Sequence, residues 1–224
     1  MDNKELSFKN GLMKMNKKFD AKKYWKSFEI LAVKVVKIQI KEIVKYEDLK
    51  FYEDEVPLTR DHGIDGQLHI TLKGNDISIT VEAKLRAKGP LGIKEFASSI
   101  VNYFINLSDI HFVVTNVQFS EDAQNILKSI QTRPEKNCLN YIDGYLINQT
   151  ADKIDYTGCD FIQKRQLKKL ITYISKESFT EPDFNKGIDQ KITIQKKIEE
   201  NLYVLQNHVH VENELSNFMK QDHC

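Results

Sequence analysis

The stretch from residue 67 to residue 84 constrains this chain more than any other. Leu68, Ile70 and Leu72 alternate with Gln67, His69 and Thr71. After Gly74-Asn75, a pair suited to a two-residue turn, Ile77, Ile79, Val81 and Ala83 alternate with Ser78, Thr80, Glu82 and Lys84. A period of two on both sides of a tight turn predicts a β-hairpin with one apolar and one polar face. With Gly74-Asn75 as the turn, Leu72 faces Ile77, Gln67 faces Glu82 and Asp65 faces Lys84. Asp65, Glu82 and Lys84 then share the polar face, with Asp65 and Glu82 as diagonal neighbours roughly 7–8 Å apart.

The flanking segments alternate between helical and strand patterns. Asp20 can cap a helix in which Tyr24, Trp25, Phe28, Leu31, Ala32, Val35 and Val36 recur at helical spacing. Its end is ambiguous, because Val36 to Ile40 also alternates like a strand. A polar loop is expected from about residue 47 to 63. After the break at Gly89-Pro90, a helix is expected over about 92–107, with Phe96, Ile100, Tyr103 and Phe104 on its buried side. His111 to Thr115 reads as a strand, and Ser120 as the cap of a helix carrying Ala123, Ile126, Leu127 and Ile130. Cys138 to Ile142 reads as a last strand, turned by Asp143-Gly144. This order predicts an α/β domain with right-handed crossovers. Residues 160–177 and about 187–221 read as helices rich in Lys, Glu and Gln. The chain is therefore divided into a basic lead-in (1–19), a main domain (20–150) and a helical appendage (151–224) for oligomerisation or connection to a partner.

Two carboxylates and a lysine on one hairpin face form a chemically capable group. Asp65 and Glu82 can close on one hard cation, and the backbone carbonyl of Ala83 can add a ligand. Magnesium suits such an oxygen site and keeps waters for a phosphate substrate; manganese can substitute. Bound metal neutralises charge on a phosphodiester, and Lys84 can orient the attacking water, stabilise developing charge or act as a base. Gly63 and Gly66 flank Asp65 and give the backbone freedom to aim it. A solvated hairpin face carries Glu and Lys for simpler reasons, so spacing alone leaves both readings open.

The formal net charge is +1 over 224 residues, so no whole-protein field announces a nucleic-acid partner. The charge is uneven, however: Lys4, Lys9, Lys14, Lys17, Lys18, Lys22, Lys23 and Lys26 crowd the N-terminus. Lys22, Lys23 and Lys26, with Arg86, Lys88 and Lys94 after the hairpin, are candidate phosphate contacts. Asp61 and His62 precede Asp65 and could touch a metal-bound water or DNA, but a capped, hydrogen-bonded loop is the favoured reading. Cys138, Cys159 and Cys224 are odd in number and lack C-x-x-C spacing, which speaks against a disulfide framework or a structural zinc site. His208, His210 and His223 lack partners at ligand spacing. No apolar run approaches the roughly 20 residues of a membrane helix, and the N-terminus is polar, so a cytoplasmic location is expected.

Asp65 followed by Glu82-Ala83-Lys84 resembles the D…(D/E)-x-K signature of the restriction-endonuclease-like nucleases. More narrowly, an ordered series resembles the Mrr-type restriction endonuclease domain. Its members are Phe28-Glu29, Gly63-Ile64-Asp65-Gly66, Val81-Glu82-Ala83-Lys84, Val113-Val114-Thr115 with Phe119-Ser120 and Ala123, and Tyr141-Ile142-Asp143-Gly144-Tyr145-Leu146. The resemblance covers about residues 20–150. It implies a mixed β-sheet flanked by helices and magnesium-dependent cleavage of double-stranded DNA, in a setting of defence against foreign DNA. It also implies a metal-proximal role for Glu29, a first-helix carboxylate. Many Mrr-type domains carry Gln where Glu82 stands, and Glu is the stronger magnesium ligand. A homodimer, or assembly with a sensor subunit, is expected, since a double-strand break needs two sites. Two rival readings remain: a repair or junction-resolving nuclease, and a DNA-binding or assembly module that does not cleave.

Overall fold

The structure, a computed structural model, describes residues 19–43, 50–54, 63–72, 75–106, 108–131 and 139–179. Five strands form one sheet in the order β1 (Lys50–Asp54), β2 (Gly66–Leu72), β3 (Asn75–Lys84), β4 (Ile110–Thr115) and β5 (Leu139–Ile142). The first three run antiparallel to their neighbours, and β3, β4 and β5 run parallel. Parallel neighbours need a crossover. Helices α2 (Ile93–Asn106) and α3 (Glu121–Gln131) lie in those two connections, after α1 (Ala21–Ile43). Short α4 (Gly144–Gln149), a 3-10 turn (Ala151–Lys153) and α5 (Phe161–Ile174) follow the sheet. The chain is thus an α/β protein with a mixed sheet flanked by helices, the class expected from sequence.

Two cores sit on opposite faces of the sheet. On one, Phe28, Leu31, Val35, Val36 and Ile40 of α1 and Leu167, Leu170 and Ile174 of α5 cover Leu68, Ile70, Ile79, Val81, Ala83, Phe112 and Val114. On the other, Phe96 and Tyr103 of α2 and Ala123 and Leu127 of α3 cover Val113, Leu139 and Tyr141. β4 is buried along its whole length because both faces are covered. Each fully buried aliphatic or aromatic side chain contributes roughly 1.5–3 kcal/mol. The stretch expected to begin a separate appendage at residue 151 therefore contributes Ile154, Leu167, Leu170 and Ile174 to the same core as α1. Its second expected helix, about 187–221, lies outside the described residues.

Several local expectations need correction. The region read as a polar loop contains β1, an edge strand whose Phe51 packs against the core under the ammonium groups of Lys37 and Lys41. The ambiguous run Val36 to Ile40 is helical, as burial of Val35, Val36 and Ile40 on one face of α1 requires. Asp143 does not turn the chain; it caps α4, its Oδ1 accepting from Leu146 N at 3.1 Å. α5 opens on a capping box of Asp160 and Gln163. Ser120 caps α3 as read, its Oγ accepting from Ala123 N.

The hairpin forms in a register two residues away from the one counted. Leu72 pairs with Asn75, Ile70 with Ile77, Leu68 with Ile79 and Gly66 with Val81. Asn75 thus belongs to β3, not to the turn. This register places Ile70 and Ile77 directly opposite and lets Thr71 Oγ1 hydrogen-bond the Asp76 carboxylate across the strands. A slip of two leaves every side chain on its expected face, whereas a slip of one would have inverted them all. Among the described residues no helix is long and apolar enough to cross a membrane.

Candidate active site

The corrected register puts Asp65 beside Glu82 instead of Lys84. Asp65 stands one residue before β2, and it continues the pairing by other means. Its N–H donates to the Val81 carbonyl at 2.8 Å, and its Oδ2 accepts from the Ala83 N–H at 2.7 Å. Main chain and side chain of Asp65 therefore bracket Glu82 on β3. In extended backbone a residue's N–H and C=O point toward the same neighbouring strand. The Ala83 carbonyl accordingly points to the side where Asp65 sits and β2 has just begun.

Two glycines make this approach possible, for different reasons. Gly63 adopts a φ of +79°, and a Cβ there would lie 2.4 Å from Asn102 Nδ2. Gly66 needs no unusual backbone; a Cβ there would lie 2.4 Å from a methyl of Val33 on α1. The sequence reading of Gly66 as backbone freedom is thus replaced by close packing of β2 on α1.

Glu82 is buried on the α2 side of the sheet, at 1% exposure. Its Oε1 pairs with Lys84 Nζ and receives Asn102 Nδ2 at 3.4 Å. Its Oε2 faces His111 Nε2 at 3.7 Å, longer than a hydrogen bond. Burial works to raise the Glu82 pKa, but His111, Lys84 and Ser99 outweigh it and hold the carboxyl below its ordinary value. Around Glu82 the polar face of the hairpin is therefore not solvated, while Gln67, His69 and Ser78 on the same face are partly exposed. Lys84, about one quarter exposed, reaches from this buried carboxylate toward the surface.

His111 was not singled out from the sequence, where it is one histidine in an apolar strand. It is fully buried on β4, and its Nδ1 meets Thr80 Oγ1 at 2.7 Å, which in turn meets Ser108 Oγ at 2.7 Å. The signal that could have found it is positional: parallel pairing of β3 with β4 sets Thr80 against His111, two residues from Glu82.

Glu29 lies on the other face of the sheet, on α1. It is 9% exposed, and Lys26 Nζ bonds its Oε2 at 2.8 Å. Glu29 and Asp65 line one cleft of about 490 Å³, with Lys26, Gly66, Gln67, Cys159 and Gln163 among its walls. Glu82 does not line it. Asp65, at the end of the sheet where β2 begins, thus adjoins both Glu82 on β3 and the cleft that Glu29 lines.

Of the basic candidates, only Lys26 reaches this cleft. Lys22, Lys23, Lys88 and Lys94 are exposed. Arg86 is engaged by the Glu95 carboxylate, and its backbone is clamped by Asn116 in both directions at 2.7 and 2.9 Å. Asp61 and His62 lie outside the described residues, as do Cys138, Cys224 and the C-terminal histidines; Cys159 is a free thiol.

Among the described residues no three His, Cys, Asp or Glu side chains converge as a ready-made metal cluster. The donor set is smaller: two carboxylates, of which Glu82 Oε2 is buried without a hydrogen bond, and the Ala83 carbonyl. Such hard oxygen donors fit magnesium, which takes few protein ligands and retains water.

No protein-family model matches the chain, and no curated protein matches it. Among solved structures, the MspJI restriction endonuclease in complex with a 27-mer oligonucleotide is similar over 73% of this chain, with a TM-score of 0.44 and 17% identity. The DNA modification-dependent restriction endonuclease AspBHI is similar over 64%, with a TM-score of 0.36 and 14% identity. The chain spans about a third of the length of each, 36% and 35%. Likeness this distant transfers no residue's role.

Proposed function

We propose that this protein is a magnesium-dependent DNA endonuclease acting through Asp65, Glu82 and Lys84, with Ala83 supplying a backbone ligand. The observation that carries the reading is the bond from the Ala83 N–H to Asp65 Oδ2, which fastens one carboxylate between Glu82 and Lys84. The ordered series of Mrr-like motifs supports the same reading and supplies the substrate class. When bound, the cation supplies positive charge against a scissile phosphodiester. Asp65 and Glu82 would hold it, and Lys84 would place a proton-bearing nitrogen beside it. Glu29, across the cleft from Asp65, would orient water from the α1 side.

Purified protein should nick or cut duplex DNA with magnesium, with manganese substituting. Asp65→Asn and Lys84→Ala should each lower the rate by at least about a hundredfold, the scale of losing a group that acts on charge in the transition state. Cleavage surviving both substitutions would remove these residues from the site. A homodimer or a partner subunit and a role in defence belong to the proposal, and chain mass in solution tests the first. The ion pair between Glu82 and Lys84 favours a second reading, a DNA-binding module that does not cleave. Calorimetric titration with magnesium separates the two, because the module should show no binding that depends on Asp65 and Glu82.

A further inference from the structure

A second groove lies between the start of α1 and the outer face of α5. It measures about 650 Å³ and is lined by Lys23, Arg165, Lys168, Lys169 and Lys176, with Asp20 as its one carboxylate. All five cations are exposed, and none forms an ion pair among the described residues. For a chain of net charge +1, this is a marked local concentration. Its apolar wall is Phe19, stacked against Tyr24 at 5.5 Å and Tyr173 at 3.9 Å between ring centres.

We infer that this groove binds the phosphate backbone of duplex DNA, independently of sequence, and anchors DNA beside the proposed cleavage cleft. The ligand class rests on the nuclease reading; the site itself rests on the groove. Both depressions are walled by α1 and α5. One carries Lys26 and Gln163, the other Lys23 and Arg165, so one molecule can follow both. From residue 165 to its end at residue 174, α5 advances about 14 Å, close to four base-pair steps along a duplex strand, and Lys176 follows in the turn just beyond it. Arg165, Lys168, Lys169 and Lys176 along that stretch, with Lys23 added from α1, match a row of phosphates; Lys168 Nζ also lies 5.5 Å from the centre of the Tyr156 ring. Phe19 is engaged by both tyrosines and belongs to the wall, so the groove offers a row of cations more than a row of free ring faces for single-stranded bases.

The test is binding without metal, using Asp65→Ala protein in EDTA and a plain 20-base-pair duplex. Neutralising five phosphates gives a salt slope near −4.5, so affinity should fall about 500-fold between 50 and 200 mM salt. Lys169→Gln with Lys176→Gln should weaken binding at least tenfold at low salt and make the slope shallower by about 1.8. A charge-matched control, Lys50→Gln with Lys164→Gln, removes exposed lysines outside the groove and should bind like the parent. Equal losses in both pairs, or none in the groove pair, overturn the inference. So does binding of anionic vesicles in preference to the duplex. Because no cleavage is measured, failure of the nuclease reading shows separately, as intact DNA in the magnesium assay.

Discussion

At the scale of single residues, the site depends on how a buried glutamate is held. Glu82 is taken out of water by α2 and faces cationic or polar groups on several sides. Lys84 answers its charge from the same strand, while His111, fixed through Thr80, stands behind it. In the proposed magnesium site Glu82 would be a ligand, and groups that orient a ligand typically matter by 10–100-fold. His111→Ala should therefore lower cleavage and magnesium affinity by that range, and His111→Gln should restore part of both. Calorimetry gives the affinity and thermal melting controls for loss of fold. Unchanged magnesium affinity in a folded His111→Ala protein would leave the histidine a purely structural role.

Asp143 makes a second residue-scale case, away from the site. Burial pushes its pKa up to about 6, although the backbone N–H of Leu146 and Tyr145 pull the other way. A carboxyl whose folded pKa exceeds its unfolded one binds more protons folded. Its contribution is then complete below about pH 4 and is lost as pH rises through about 6. The rise from 3.8 to about 6 corresponds to roughly 3 kcal/mol. Asp143→Asn keeps the capping oxygen without the charge. It should match the parent in urea midpoint near pH 4 and exceed it at pH 8. Parallel midpoints from pH 4 to 8 would contradict this.

At the scale of elements, α5 is the informative one. Its capping box starts it, and Leu167, Leu170 and Ile174 at helical spacing seat it on α1, where Ser27 Oγ donates to Gln166 at 2.8 Å. One face of the same helix thus belongs to the core, and the opposite face presents cations. Leu170→Ala should cost roughly 2–5 kcal/mol in denaturant unfolding, the range for a fully buried leucine. A loss under about 0.5 kcal/mol would mean that α5 packs only loosely. β1 teaches the converse lesson. Its pattern of charged and aromatic residues reads as loop because an edge strand can be held with little apolar burial, here the partly buried Phe51 packed against the core.

At the scale of the whole molecule, the sheet is covered on both faces by helices from the full described span, including α5. A chain of residues 19–179 should accordingly unfold in one transition. Fluorescence of Trp25, on α1, and far-UV circular dichroism should give coincident curves; two separated transitions would show α5 unfolding apart from the sheet. The sequence by itself determined the α/β class, the long helices around the sheet (α1, α2, α3 and α5) and the faces of the hairpin, because period-2 and period-3.6 patterns are local consequences of which side is buried. It also singled out Asp65, Glu82 and Lys84, since side-chain parity survives a two-residue slip. Only the tertiary structure decided the register itself, the burial of Glu82, the place of His111 behind it, and the opposition of Glu29 to Glu82 across the sheet. The register turns on where the tight turn falls, which side-chain parity cannot tell; the others depend on which elements meet in space, and a pairing between strands far apart in the chain leaves no periodic trace in either one.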